Sequence, residues 1–200
     1  MNNQEEKKEK EQEKEQKPSN LMVEKLFNSR SIIISGEINQ VLAEKITTQL
    51  LILQEMGDEP IKLFINSQGG HVESGDTIHD MIKFVKPRVI VIGTGWVASA
   101  GISIYLGADK QDRYSLPNTR YMIHQPAGGY NGPVTDIEIE AKEILRLRKR
   151  VNKMISDATG QSMEKIEKDT DRNYWLSACE AVEYGIVHKV ISNYDELPNK

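Results

Sequence analysis

The stretch RVIVIGTGWVASAGISIYLGA, residues 88–108, passes from a β-branched run into small residues around Ser99 and then into a short apolar segment. That order reads as a strand delivering the chain into a helix, with Ser99 at the joint. A serine at such a joint has two readings. Its hydroxyl can accept an orphan backbone N–H as a helix N-cap, or it can serve as a nucleophile if a base stands beside it. The stretch alone does not separate them.

Working upstream, the same alternation repeats. RSIIISG (residues 30–36) is a short β-branched run, after which Ala43, Ile46, Leu50 and Leu53 recur at helical spacing until Gly57 and Pro60 stop the helix. IKLFIN (61–66) reads as a buried strand, SQGG (67–70) as a turn, and Ile78, Met81, Ile82 and Val85 as one face of a helix that Pro87 ends. Strands and helices alternating in units of about 30 residues imply parallel strands joined by right-handed crossovers. The expected fold is therefore an α/β layered domain of repeated β-α units.

Downstream, RYMIH reads as a strand ending at His124, and AGGYNGP is too rich in glycine for ordinary strand packing. A charged helix is expected from about Pro133 to Ala158, with Ile137, Ala141, Ile144, Leu145, Val151 and Ile155 as its apolar stripe. At that length it would span about 40 Å, as wide as the domain itself. It is therefore expected to project and pack on another subunit. SACEAVEYGIVHKVI reads as a short helix, a stop at Gly185 and a last strand.

Composition bounds the rest. With 200 residues and 38% hydrophobic content, one core is expected, over residues 21–195. Residues 1–20, almost wholly Glu, Lys, Gln and Asn, offer no apolar face and are expected to be a solvated tail; residues 196–200 are expected to be a short C-terminal tail. A net charge of −4 argues against nucleic acid as a partner. The lone Cys179 cannot form an internal disulfide and the chain opens on charged residues, so the cytoplasm is the expected compartment. No apolar run approaches the roughly 20 residues that cross a bilayer. His71, His79, His124 and His188 with Cys179 lack the close spacings of a metal site, and no cofactor is expected.

Two places leave backbone N–H groups free to face a ligand. Gly69 and Gly70 follow one strand and Ala100 follows Ser99 at the end of the next, and neighbouring parallel strands emerge on one edge. The N–H groups of Gly70 and Ala100 could thus form an oxyanion hole, although SQGG is also an ordinary turn composition. His124 stands at a strand end before Gln125 and Pro126, where its ring could be exposed as a base or hydrogen-bonded for structure alone.

The ordered motifs FINSQGG, GWVASAG, YMIHQPAGGYNGPVTDIEIEAKEILRLRKR and WLSACEAVEYGIV resemble the ClpP family, the serine peptidase subunit of caseinolytic protease, from about Ile32 to Ile191. The resemblance implies a ClpP/crotonase-like fold in which Ser99 is the nucleophile, His124 the general base, and Gly70 and Ala100 the oxyanion-hole donors. It further implies two stacked heptameric rings with an internal chamber, fed with unfolded protein by an AAA+ unfoldase. In that assembly the long helix is a handle, Gly128 and Gly129 line the strand that holds extended peptide, and Asp171 and Arg172 lie at the ring contact.

Several positions depart from the family pattern. Gln68 replaces a proline, Ala100 a methionine, and Lys62 an aromatic residue of the unfoldase-docking groove, where Phe64 and Phe84 keep their aromatic character. The charged tail stands where the family has its axial gate. Asn173 falls on the third triad position, usually aspartate, which implies low basal activity. The first expectation is an endopeptidase; the rivals are a structural or regulatory ring subunit that activates a paralogous one, and an acyl-CoA enzyme of crotonase type.

Overall fold

The computed structural model describes residue 21 and residues 23–198. The tail expected over residues 1–20, and residues 199–200, lie outside the described residues. Among the described residues, seven strands form one sheet. β1 (Ser31–Ile38), β2 (Ile61–Gly70), β3 (Val89–Ala98), β4 (Arg113–Ser115) and β7 (Lys189–Val190) run parallel in that order. β5 (Arg120–Ile123) pairs in parallel with the second half of β3, and β6 (Tyr174–Ser177) returns antiparallel along β5.

The crossovers are helices because their apolar residues recur on one face. In α1 (Gln40–Met56) Ala43, Ile46, Leu50 and Leu53 are buried, and Asn39 caps the start by accepting the Leu42 N–H. Burial of each of the larger three contributes about 1.5–3 kcal/mol. The far end is held by Arg30, whose guanidinium donates to the carbonyls of Leu53, Gly57 and Glu59. α2 (Val72–Phe84) buries Ile78 and Ile82 in the same way.

SQGG, expected as a turn, is instead the continuation of β2. Glu37 pairs with Gly69 and Ile38 with Gly70 after a register shift between Ser35 and Glu37. The reason is close approach: a side chain on Gly70 would meet the Ile38 carbonyl oxygen at 2.2 Å. Glycine here lets two backbones come together, rather than reversing the chain.

The first half of β3, Val89 to Gly93, is buried on both faces, because each face of the parallel sheet is covered there. Val89 and Val91 face the main core, while Ile90 and Ile92 join Tyr114, Ile191 and Leu197 in a second cluster. Leu197, two residues beyond the expected domain end, is buried in this cluster and covers the outer face of the sheet. Lys62, on the same face, lies 5.1 Å from the centre of the Tyr194 ring.

Further along the chain come the helices α3 (Ala100–Tyr105), α4 (Val134–Thr159), α5 (Met163–Asp169) and α6 (Ala178–Tyr184). α4 buries only Val151, Asn152, Ile155 and Thr159, all in its second half. Ile137, Ile139 and Leu145 in the first half are exposed, so part of its apolar stripe finds no cover among the described residues.

Candidate active site

β3 changes partner midway, and that places the site. Its residues Val91–Gly93 pair with β4, whereas Trp96–Ala98 pair with β5. The bend falls at Gly95, whose φ is +59°. Beyond it, β5 and β6 form a short extension of the sheet, on which Trp96 stacks with Trp175 at 6.2 Å between ring centres.

Ser99 sits where β3 turns into α3, with φ +56° and ψ −123°. A non-glycine residue holds such a backbone only when its surroundings over-determine it. Here the Ser99 N–H donates to the Met122 carbonyl at 2.9 Å and its carbonyl accepts from the Ile102 N–H at 2.9 Å. Although Ser99 occupies the N-cap position, its hydroxyl makes no capping bond. Its Oγ lies 2.7 Å from Nε2 of His124. Gly69 makes room for it, because a side chain there would stand 2.6 Å from the Ser99 Cβ.

Antiparallel register supplies the third residue. Ile123 lies opposite Tyr174, so the next residue outward on each strand, His124 and Asn173, face each other where the ladder ends. Nδ1 of His124 is 3.0 Å from Oδ1 of Asn173. An amide oxygen only accepts, so Nδ1 carries the proton and Nε2 keeps a lone pair for the Ser99 hydroxyl. Ser99, His124 and Asn173 thus form one continuous relay.

The other expected positions are distributed around it. Ala100 opens α3 directly after Ser99, and Gly70 ends β2 beside β3. Gly128 and Gly129 lie in exposed irregular chain, not in a strand. Asp171 pairs with Arg148 of α4 at 3.3 Å, and Arg172 is exposed next to it. Sequence reasoning missed Gln125, whose backbone N–H donates to the Thr170 carbonyl and whose side chain donates to that of Asp171, both at 2.6 Å. It also missed Asn152 and Thr170. Asn152 gave one signal, a polar residue on the apolar stripe of a helix.

Next to Ser99 is a recess of only about 20 Å³, walled by Val72, Ile102, Ile123, Pro126, Val151 and Ile155. It suits a small apolar group. A larger hollow of about 740 Å³ lies away from the relay, edged by Lys83, Lys110, Arg113, Arg150 and Lys153. Three of its cations are answered within the protein: buried Arg113 donates to the carbonyls of Ala108 and Ala158, Arg150 pairs with Asp76 and Lys153 with Asp157. His79 is buried against the Ser103 carbonyl, and His71 caps α2. Among the described residues no group of His, Cys, Asp and Glu could hold a metal ion, and no helix is long and apolar enough to cross a membrane.

An α/β layered fold that closes a serine, a histidine and an amide into one relay is that of a serine-type peptidase. The family model described as Clp protease matches residues 13–194. The chain is 54% identical over 194 residues to ATP-dependent Clp protease proteolytic subunit 3 of Rhizobium meliloti, covering 97% of each. It is 56% identical over 172 residues to the protein of that name from Rhizobium etli, covering 86% of this chain and 89% of that one. Among solved structures, ClpP1 from Listeria monocytogenes matches with a TM-score of 0.81 and 61% identity, covering 88% of this chain and 99% of that one. An Asn-to-Asp mutant of that ClpP1 matches with a TM-score of 0.82 and 63% identity, covering 87% of this chain and 98% of that one. The chain belongs to the Clp protease family.

Proposed function

We propose that Ser99 hydrolyses peptide bonds of unfolded proteins, with His124 as general base and Asn173 as the group that orients it. The observation that carries this reading is the single imidazole bonded on both sides, to Ser99 Oγ at 2.7 Å and Asn173 Oδ1 at 3.0 Å. Attack forms the bond from Oγ to the carbonyl carbon while the hydroxyl proton passes to Nε2. Collapse breaks the C–N bond, and Nε2 returns that proton to the leaving amine. Water, deprotonated by the same nitrogen, then releases the acyl group.

The N–H groups of Gly70 and Ala100 serve as the oxyanion donors. Ladder alternation supports this: the His71 N–H is taken by the Ile38 carbonyl, which turns the Gly70 N–H the other way, toward β3. Gly128 and Gly129, in exposed irregular chain, leave their main-chain groups open for an extended peptide to pair with. The recess beside Ser99 takes a small apolar side chain.

Asn173 accepts the Nδ1 proton but brings no negative charge to the imidazolium that forms during attack. Low basal turnover follows. The names of the Rhizobium relatives, which specify ATP dependence, support an AAA+ unfoldase as the partner that feeds substrate. The exposed first half of α4 supports stacked heptameric rings in which that helix is the handle, with Asp171 and Arg172 at the ring contact. We place the assembly in the cytoplasm, where the exposed thiol of Cys179 stays reduced.

Fluorophosphonate labelling of the isolated assembly tests the reading. One adduct per chain, mapped to Ser99 by mass spectrometry and lost in His124→Ala, is the expected result. Labelling elsewhere, or none at Ser99 under prolonged exposure, would refute it.

A further inference from the structure

Asn152 lies on α4 between Val151 and Ile155 and is 1% exposed. An amide buried this deeply needs a partner. It has one in Thr170, itself wholly buried, whose Oγ1 is 3.1 Å from the Asn152 amide and 2.7 Å from the Ile166 carbonyl oxygen. One hydroxyl proton cannot serve two acceptors. Oδ1 of Asn152 is the atom that faces Thr170; with the hydroxyl proton on Ile166, a half-turn of the amide turns its N–H to Thr170 instead, so that Asn152 donates and Thr170 accepts.

Thr170 caps α5 and begins the segment that leads to Asn173. Its carbonyl accepts the Gln125 N–H at 2.6 Å, one residue from His124. A single buried threonine is therefore bonded to α4 through its side chain and to the His124 side of the relay through its backbone. The second link from α4 to this segment, Arg148 to Asp171 at 3.3 Å, is exposed and screened by solvent. The buried link is the one that can fix position.

We propose that Asn152 and Thr170 are positioning residues for the relay, a buried pair that holds residues 170–173 against α4 so that the Asn173 amide meets His124. The inference rests on the reading of Ser99, His124 and Asn173 as the reacting groups. A neutral amide attracts the imidazole ring more weakly than a carboxylate, so its effect depends more heavily on where the backbone puts it. The pair also couples the projecting helix to the site, since α4 cannot shift at Asn152 without moving Thr170.

The test compares Thr170→Val, Asn152→Asp, Thr170→Ser and Thr159→Val in the assembled protein. Peptide kcat and KM and the fluorophosphonate rate at Ser99 are measured at equal particle mass. Thr170→Val removes the hydroxyl at constant shape, and Asn152→Asp removes the donating N–H. Both should lower kcat and the labelling rate by about tenfold with KM within about twofold. Thr170→Ser should restore most of the loss. Thr159→Val deletes a buried hydroxyl of the same kind, bonded to the Ile155 carbonyl on the same helix, and should lower the melting temperature without lowering kcat. If Thr170→Val does not assemble, Asn152→Ala is read in its place by the same criteria. Parental kcat and labelling in a variant of parental mass, or an equal kcat loss in Thr159→Val, would overturn the proposal. Ser99→Ala separates the two levels. If it leaves hydrolysis intact, the reading of the site has failed; if it abolishes hydrolysis and Thr170→Val has no effect, only the positioning role has failed.

Discussion

Ser99 presents its Oγ to Nε2 of His124 at 2.7 Å from a backbone held at φ +56°. The two facts belong together. A serine in ordinary helical geometry would turn its hydroxyl to the first turn of α3, whereas the sharp turn at the end of β3 aims it across the sheet edge at β5. The strain is offset by the two backbone bonds of Ser99 and by the dense packing of α3, whose six residues are all buried. Removing the hydroxyl leaves that packing and those bonds in place.

Ser99→Ala should therefore lower peptide hydrolysis by more than about a thousandfold while leaving particle mass and melting temperature near those of the parent. Cleavage of a fluorogenic peptide and mass photometry on one preparation check both halves. Unchanged cleavage would remove Ser99 from the chemistry.

Asn173→Asp should raise turnover and the fluorophosphonate rate. In a serine triad the reverse change lowers turnover by about 10⁴, and Asn173 already stands 3.0 Å from the ring with its oxygen as acceptor. A rise of at least about tenfold is expected at equal oligomeric state, with Asp171→Ala as the control for the neighbouring ion pair. No gain in intact particles would show that the missing charge does not limit this site.

His79 makes stability depend on pH. Burial pushes its ring below the ordinary value of 6.5, and the bond to the Ser103 carbonyl only partly opposes this. The unfolded chain then binds the proton more readily than the folded one. The stability is complete above the ordinary value and is lost as pH falls through the lowered folded value. Melting temperature should drop as pH is taken from about 8 to below 6.5, and His79→Asn should flatten that part of the curve. An identical slope in the variant would assign the effect to other groups.

Ile137→Glu combined with Leu145→Glu should yield smaller particles. These two residues of α4 are 43% and 64% exposed within the chain, which is unusual for large apolar side chains spaced along one helix. Charges there would oppose burial against another subunit by several kcal/mol per site. Native mass measurement decides, and parental particles in the double variant would move the interface elsewhere.

The α/β layering was legible in the chain because crossover helices and buried strands write their periods directly into the apolar pattern. Ala43, Ile46, Leu50 and Leu53 were all read as one face and all are buried. Ser99 and His124 could be picked out as strand-end residues, and the ordered motifs joined them to one family. Local pattern failed where contact was the cause. SQGG has the composition of a turn, yet the carbonyl of Ile38 beside Gly70 makes it a strand. β6 went unread because a four-residue strand carries little periodicity of its own. Its pairing with β5 is what sets Asn173 opposite His124, 49 positions away in the chain. The same holds for Asn152 and Thr170: single polar residues in a sequence, they become a buried hydrogen-bonded pair only when α4 is laid against the end of α5. Composition and period, which depend on near neighbours, were the part the chain determined alone. Register and burial, which depend on segments far apart along the backbone meeting in a water-poor interior, were decided by the tertiary structure.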